Sequence, residues 1–243
     1  LNYNIDQSMK NLPLVILAGG LGTRLSELTK KIPKPLIKIG NKPIIHHIID
    51  HYAYYGVREF IICVGYKKKK FLNYFKNNKN NKKLTIKIVD TGLKSFTGDR
   101  LKKIKSYIKG DFFLTYGDGL SSINIKKQYK LFKKKNKIGL ISCVKPRPRF
   151  GIVKIKNDNV ISFIEKPIEN RWINGGFFIF KNTFFKYLSG KKIILEKSPL
   201  ENLVIDRHLV AYKHDGFWKC MDTANDKKEF EKIIKLKKKE WKK

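Results

Sequence analysis

No stretch of the chain stays apolar for the roughly 20 residues that cross a bilayer, so no membrane span is expected. The polar opening Leu1–Lys10 lacks the apolar segment of a secretory signal. Cysteine is scarce. Cys63, Cys143 and Cys220 are odd in number and far apart, which excludes a disulfide framework and zinc-type spacing. Cys63 and Cys143 lie in apolar, strand-like runs and read as inert buried thiols, and a reducing cytoplasm fits this usage. Neither a Ser-His-Asp nor a Cys-His constellation is evident, so a covalent intermediate is not expected. Acid is also in short supply, with 20 acidic residues against 54 basic ones and a formal charge of +34. That balance invites a nucleic-acid reading, but arginine is what the basic set lacks. Only Arg24, Arg58, Arg100, Arg147, Arg149, Arg171 and Arg207 accompany the lysines. The lysines travel with abundant Asn, Ile and Phe, whose codons are all AT-rich, and compositional drift accounts for most of them. Clustered arginines and exposed aromatics, the usual equipment for gripping a single strand, are not seen. The charge should draw polyanions weakly and in a salt-dependent way, and no specific nucleic-acid partner is expected.

What the chain does have is a core. Its 243 residues, 42% hydrophobic, suit one domain over residues 12–243 behind a short N-terminal extension, residues 1–11. Strand and helix patterns alternate. Apolar runs at 14–18, 59–64, 84–89, 111–116 and 137–144 read as strands, and periodic segments at 43–55, 67–75, 100–108 and 124–135 as helices. Strands that are apolar on both sides imply a mostly parallel sheet covered by helices on both faces. The second half is less regular. It shows a hairpin (151–155 and 160–165), a strand at 172–180 with Gly175-Gly176 inside it, a helix start at 184–188, a helix at 195–206 and a strand at 209–212. It closes in an amphipathic basic helix at about 226–243. A double glycine within a strand marks a bulge or a close approach by another group.

Residues 14–24 are the focus. The apolar run Leu14–Ala18 breaks into Gly19, Gly20 and Gly22, then Thr23 and Arg24. Such a loop leaves backbone N–H groups open to phosphate oxygens, with Arg24 able to add a bidentate charge. It has neither the G-x-G-x-x-G spacing of a dinucleotide site nor the Gly-Lys-Ser/Thr of a Walker loop. Lys34 follows, held between Pro33 and Pro35 on a stiff backbone. Asp118 stands between two glycines at the end of an apolar strand, and Asp222 follows the aromatic stretch at 217–218. Each alone reads as a turn residue. Together they can bind one Mg²⁺, which takes a couple of carboxylates plus phosphate oxygens and water. Glu165-Lys166-Pro167 again fixes a lysine beside a proline, a partner for a second phosphate or a surface pair before a turn. His47 and His51 have helical i, i+4 spacing without a third ligand, and are read as structural. This inventory suits direct phosphoryl chemistry, which needs positioning and charge stabilisation rather than a nucleophilic side chain.

The motifs at 17–25, 33–36, 117–119 and 165–167, with Asn174-Gly175-Gly176-Phe177-Phe178, resemble those of the sugar-1-phosphate nucleotidylyltransferases, in the family's order, from about Leu12 to Asp226. Segments 89–101, 115–119, 149–151 and 216–223 are similar to its branch that acts on glucose 1-phosphate with CTP. The resemblance implies a Rossmann-like nucleotidyltransferase fold: a mixed, mostly parallel central sheet flanked by helices, with a small β-rich acceptor-binding portion. It implies a homo-oligomer, Mg²⁺ as cofactor, and transfer of CMP from CTP to a sugar 1-phosphate with release of pyrophosphate. A different phosphorylated acceptor, such as a phosphorylated amino acid, or UTP or dTTP as donor, stays open. The implied triphosphate-side residues are Leu17, Ala18, Gly19, Gly20, Gly22, Thr23, Arg24, Lys34 and Gly117. Thr97, Gly98 and Arg100 would contact the cytidine. Arg24, Lys34 and Asp118 would be catalytic, and Asp118 and Asp222 would hold the metal. Gly151, Glu165, Lys166, Asn174 and Gly175 would line the acceptor pocket.

Overall fold

The computed structural model describes residues 9–77, 83–146, 151–165, 171–236 and 241; for Arg24, Ser26 and Glu27 it describes the backbone alone. The chain enters through β1 (Leu14–Leu17), the glycine loop and a single helical turn, α1 (Ser26–Thr29). A small ribbon, β2 (Lys38–Ile39) with β3 (Lys42–Pro43), leads into α2 (Ile44–Tyr54). Two strand–helix units follow: β4 (Glu59–Val64) with α3 (Lys68–Asn77), and β5 (Thr85–Asp90) with α4 (Thr97–Lys103). Next come β6 (Phe112–Tyr116), β7 (Gly119–Ser121), α5 (Ile125–Lys135) and β8 (Gly139–Val144). The second half holds the hairpin β9 (Ile152–Lys156) and β10 (Asn159–Ile164), then β11 (Ile173–Phe180). It continues through α6 (Ser198–Ile205), β12 (Leu209–His214), β13 (Trp218–Cys220) and α7 (Ala224–Lys235).

Seven strands form one sheet in the order β12-β8-β11-β6-β1-β4-β5. Neighbours are parallel except at β11, which runs antiparallel to both β6 and β8. The sheet is therefore the mixed, mostly parallel one expected. Alternation decides what each face carries. Leu14 and Ile16 of β1 join Phe60, Ile62 and Phe113 in a core beneath α2, and Phe230 of α7 and Phe132 of α5 pack into it too. Val15 and Leu17 point the other way, into a second core with Ile61, Leu114, Phe178 and Phe180, closed by Leu101 of α4 and Leu203 of α6. Two-sided burial is why these strands read as unbroken apolar runs.

Several boundaries differ from the sequence expectation. α4 starts at Thr97, not Arg100, because the Asp99 carboxylate accepts from the Phe96 N–H (3.1 Å) and caps the first turn. It then tightens into a 3₁₀ turn at Lys105–Tyr107. Residues 182–187 form a 3₁₀ segment where an α-helix start was expected. α7 begins at Ala224, two residues early, because Thr223 caps it reciprocally with Asp226. It is described to Lys235, and most of the expected continuation to 243 lies outside the described residues. The pairing of β7 with β13 was not legible at all, and it proves decisive for the site.

Candidate active site

The chain fills β1, β4 and β5 toward one edge, then returns to place β6 on the other side of β1. Between β1 and β6 the strand order reverses, and in open α/β sheets ligands bind at such a point, outside the carboxyl ends of the strands. The glycine loop leaves β1 and Asp118 leaves β6, so both stand at this point. Leu17, the last residue of β1, and Ala18 after it are buried and deliver the loop: Ala18 N–H donates to Cys63 O (2.9 Å) and Gly117 N–H to Leu17 O (3.0 Å). Gly22 takes φ +67°, and its missing Cβ leaves room for Thr29 and the Lys34 stem. Gly20 has open space around it and Thr23 is exposed. The Arg24 side chain lies outside the described residues, as do Lys166, Arg147 and Arg149.

Lys34 sits on the 3₁₀ turn that Pro33 starts in extended geometry. Gly117 makes this possible, since a Cβ there would lie 2.9 Å from Pro35 Cγ. The Lys34 Nζ donates to Asp118 Oδ2 at 2.6 Å and to Asp222 Oδ1 at 2.8 Å. Asp222 reaches the site through the short sheet in which Cys220 pairs with Gly119, and the Met221 N–H donates to Asp118 O (2.9 Å). Asp226 then fixes the approach, accepting from the N–H groups of Asp222 (3.0 Å) and Thr223 (2.8 Å) and from Lys219 (2.9 Å). Burial alone would lower the Lys34 pKa, but the two carboxylates outweigh it and raise the ammonium above its ordinary value. Two hard oxygens converging on one cationic nitrogen form a donor set that fits Mg²⁺. Among the described residues no group of three or more His, Cys, Asp and Glu could hold a metal, so phosphate oxygens and water would supply the remaining ligands.

Arg100 takes a place the sequence did not suggest. The residue is 4% exposed, and its guanidinium lies beneath the glycine loop. It donates to Gly19 O (3.0 Å), Val64 O (3.2 Å) and Thr91 Oγ1 (2.7 Å). A Cβ on Gly19 would fall 2.0 Å from a guanidinium nitrogen, so a larger residue there would displace Arg100 from this position. The Tyr66 N–H also donates to Gly19 O, at 3.3 Å. With that carbonyl pinned downward, the planar trans peptide turns the Gly20 N–H to the opposite side, away from Arg100. Thr97 and Gly98 are likewise engaged within the protein. The Gly98 N–H donates to Ile193 O (2.9 Å), and a Cβ on Gly98 would meet Ile193 at 2.4 Å. Thr97 Oγ1 accepts from the Leu195 N–H (2.8 Å) and donates to Glu196 Oε2 (2.8 Å).

On the acceptor side, Asn174 and Gly175 lie on β11, just past the point where it pairs with the end of β6. The register against β8 shifts between Asn174 and Phe178, so the double glycine is a bulge as expected. Gly176 has φ +77° with the Tyr116 ring against it, and Trp218 Nε1 donates to Gly175 O at 2.7 Å. The sequence reading missed Tyr116 and Glu196. The Tyr116 hydroxyl donates to Glu196, and burial, reinforced by Glu196, pushes its pKa well up. The glycine of Gly117-Asp118-Gly119 points to the strand end, but nothing local singles out a tyrosine paired across 80 residues. Gly151 and Glu165 meet at the base of the β9–β10 hairpin, where a Cβ on Gly151 would lie 3.0 Å from Glu165 Oε2.

The histidines and cysteines stay outside the chemistry. His47 and His51 donate to Ile39 O (3.1 Å) and Ile123 O (2.9 Å) from their Nε2 atoms, and burial lowers the His51 pKa to about 4. Burial raises both the Cys63 and the Cys220 thiols to about 12, with Asp118 and Asp222 adding to the effect on Cys220. They are protonated and poor nucleophiles at neutral pH.

A glycine loop and a fixed lysine facing two aspartates across the switch point of a mixed α/β sheet define a nucleotide-binding phosphoryl-transfer protein. The chain belongs to the nucleotidyl transferase family, whose pattern it matches over residues 14–223. It is 39% identical over 251 aligned residues to the glucose-1-phosphate cytidylyltransferase of Salmonella typhimurium, covering 94% of this chain and 98% of that protein. It is 32% identical to the D-glycero-α-D-manno-heptose 1-phosphate guanylyltransferase of Campylobacter jejuni, over 77% of this chain and 85% of the relative. Its fold matches a UDP-glucose pyrophosphorylase solved with UDP-glucose, with a TM-score of 0.73 over 93% of this chain and 99% of the other, at 18% identity. Among the described residues no helix is long and apolar enough to cross a membrane.

Proposed function

We propose that the protein transfers CMP from CTP to a sugar 1-phosphate, glucose 1-phosphate by preference, giving a CDP-sugar and pyrophosphate. The observation that carries the reading is the Lys34 ammonium between Asp118 and Asp222 at the switch point, facing the glycine loop. CTP and glucose 1-phosphate follow from the 39% identity to a relative that carries that name over nearly its whole length.

In this reading the loop's N–H groups at Gly20 and Gly22 cradle the triphosphate, with Arg24 beside them. A phosphate oxygen of the acceptor attacks the α-phosphorus. The new O–P bond forms as the α–β bridging bond breaks, and pyrophosphate leaves with that electron pair. The acceptor oxygen is already anionic, so no side chain needs to remove a proton. Lys34 neutralises charge building on the α-phosphate, an electrostatic role suited to a cation on a held backbone in a partly enclosed site. Mg²⁺, held by Asp118 and Asp222 together with phosphate oxygens, would supply further charge neutralisation and in-line alignment. Arg100 serves from beneath by fixing the Gly19 carbonyl, and Thr97 and Gly98 hold the 193–196 segment beside the site. Gly151, Glu165, Asn174 and Gly175 would line the acceptor side, and Lys166, which lies outside the described residues, is assigned to it by the family resemblance alone. Cytoplasmic nucleotide-sugar synthesis fits these substrates. A homo-oligomer fits the exposed apolar hairpin, where Ile155, Val160 and Phe163 are 65%, 61% and 64% accessible.

Incubation with each of the four nucleoside triphosphates, Mg²⁺ and glucose 1-phosphate, followed by a pyrophosphate assay, tests the reading. Release is expected with CTP, and Asp118→Asn should slow it about 10²–10³-fold while remaining folded. No release with CTP refutes the sugar reading, and near-normal turnover of the variant rejects the role of Asp118.

A further inference from the structure

The Lys34 ammonium occupies the point where the two aspartates converge, which is where a divalent ion bound by them would sit. We propose that Lys34 is a latch on the metal site: in the free protein its ammonium takes the cation position between Asp118 and Asp222. The dyad admits a divalent ion only when a bound triphosphate draws the ammonium onto its own oxygens. This inference rests on the nucleotidyl-transfer reading above and adds an order of events to it.

Three observations carry it. The first is distance. Nζ lies 2.6 Å from one carboxylate and 2.8 Å from the other, so the space between them is filled. A Mg²⁺ ion needs the same oxygens at about 2.0–2.1 Å, and two cations cannot share one gap a few ångströms wide without strong repulsion. The second is enclosure. The side chains of Lys34, Asp118 and Asp222 are only 12%, 27% and 22% exposed, so solvent and salt screen the contact poorly. The third is how the lysine is mounted. Pro33 and Pro35 flank it, Pro35 lies against Gly117, and its stem passes 3.2 Å from where a Gly22 Cβ would be. The backbone is therefore held, and only the flexible four-carbon stem can swing. Gly22 belongs to the phosphate loop, so the stem already runs beside the place a triphosphate would take. Lys219, a further lysine close to the Asp222 approach, cannot replace Lys34 there, because Asp226 (2.9 Å) and Glu229 (2.8 Å) hold it.

The consequence is ordered binding. The free protein takes a divalent ion poorly, the ion enters with the triphosphate, and the lysine released from the dyad is the one that then meets the α-phosphate. One side chain thus keeps the site closed when empty and serves it when loaded.

Mn²⁺ alone is the probe, read by electron paramagnetic resonance of the free ion during titration of the substrate-free protein. Lys34→Met keeps the stem and removes the charge. It should bind Mn²⁺ about tenfold or more tightly than the unaltered protein, the scale on which groups beside metal ligands shift affinity. Adding Asp222→Asn to that variant should abolish the gained site. Lys34→Gln is a second version should the Met form fold poorly by circular dichroism. Equal affinity of variant and unaltered protein, no Mn²⁺ site in either, or a gained site that survives Asp222→Asn each overturns the latch. No substrate is present in these titrations, so the latch can fail while CTP-dependent pyrophosphate release stands, and the reverse.

Discussion

Replacing Arg100 with Met tests whether the glycine loop is held from below. Arg100 is 4% exposed, and its guanidinium makes three short contacts, to Gly19 O, Val64 O and Thr91 Oγ1. A buried hydrogen bond from a charged donor contributes about 1.5–3 kcal/mol. Here the lower end applies, because two of the acceptors keep another partner: Tyr66 N–H on Gly19 O at 3.3 Å and Thr91 N–H on Val64 O at 2.8 Å. Removing the guanidinium also removes the cost of burying it, a cost seen in the downward push of burial on its pKa. The net loss should be about 3 kcal/mol, or roughly 6–12 °C in Tm for a chain of this size. Differential scanning calorimetry reads the stability. Initial-rate kinetics reads the function: a Gly19 carbonyl no longer pinned lets the Gly20 N–H wander, so KM for CTP should rise more than KM for the acceptor. Arg100→Lys should recover little, because one ammonium cannot span the three acceptors. A Tm within about 2 °C of the unaltered protein, together with an unchanged KM for CTP, refutes the brace.

Two further predictions concern the ends of the site. Asp226 both caps α7 and holds the Asp222 backbone, and its carboxyl lies below the ordinary 3.8: burial raises it, but Lys219 and Thr223 lower it further. A depressed carboxyl contributes stability above its unfolded pKa and loses it as pH falls through the folded value. Asp226→Ala should therefore cost about 1 kcal/mol at pH 7, with the gap to the unaltered protein closing below about pH 4 in urea titrations; a gap independent of pH contradicts this. On the acceptor side, Phe163→Lys with Ile155→Lys should lower the molecular mass seen by sedimentation if the hairpin joins copies. A monomer before substitution, or an unchanged oligomer after it, removes the hairpin from assembly.

How much could be read from the chain depends on the distance over which each signal acts. Runs such as Leu14–Leu17 and Phe112–Tyr116 announce themselves because a strand buried on both faces has no polar alternation. The turn at Gly19–Gly22 and the proline-framed Lys34 are equally local signals, and the fold packs the Lys34 stem beside Gly22. Boundaries were less legible where capping came from elsewhere. α4 starts at Thr97 through Asp99, and the docked segment around Ile193 made Gly98 a packing residue. By the resemblance Arg100 reads as a cytidine-contacting residue at the start of a helix. In the fold it is a buried brace, because helix α4 carries it under β1 and β4.

The sequence by itself determined the strand and helix inventory, the glycine loop, the order of the motifs and the identity of the charged groups. These depend on backbone preference and polarity within a few residues. The tertiary structure alone decided that the groups meet. Lys34 finds Asp118 across 84 residues and Asp222 across 188, through a reversal of strand order and a two-stranded pairing of Gly119 with Cys220. It also decided that β11 runs against its neighbours and so puts Asn174 at the end of the sheet where β6 leaves toward Asp118. Such contacts are fixed by how complete elements bury their faces against one another, and no short stretch of chain carries that information.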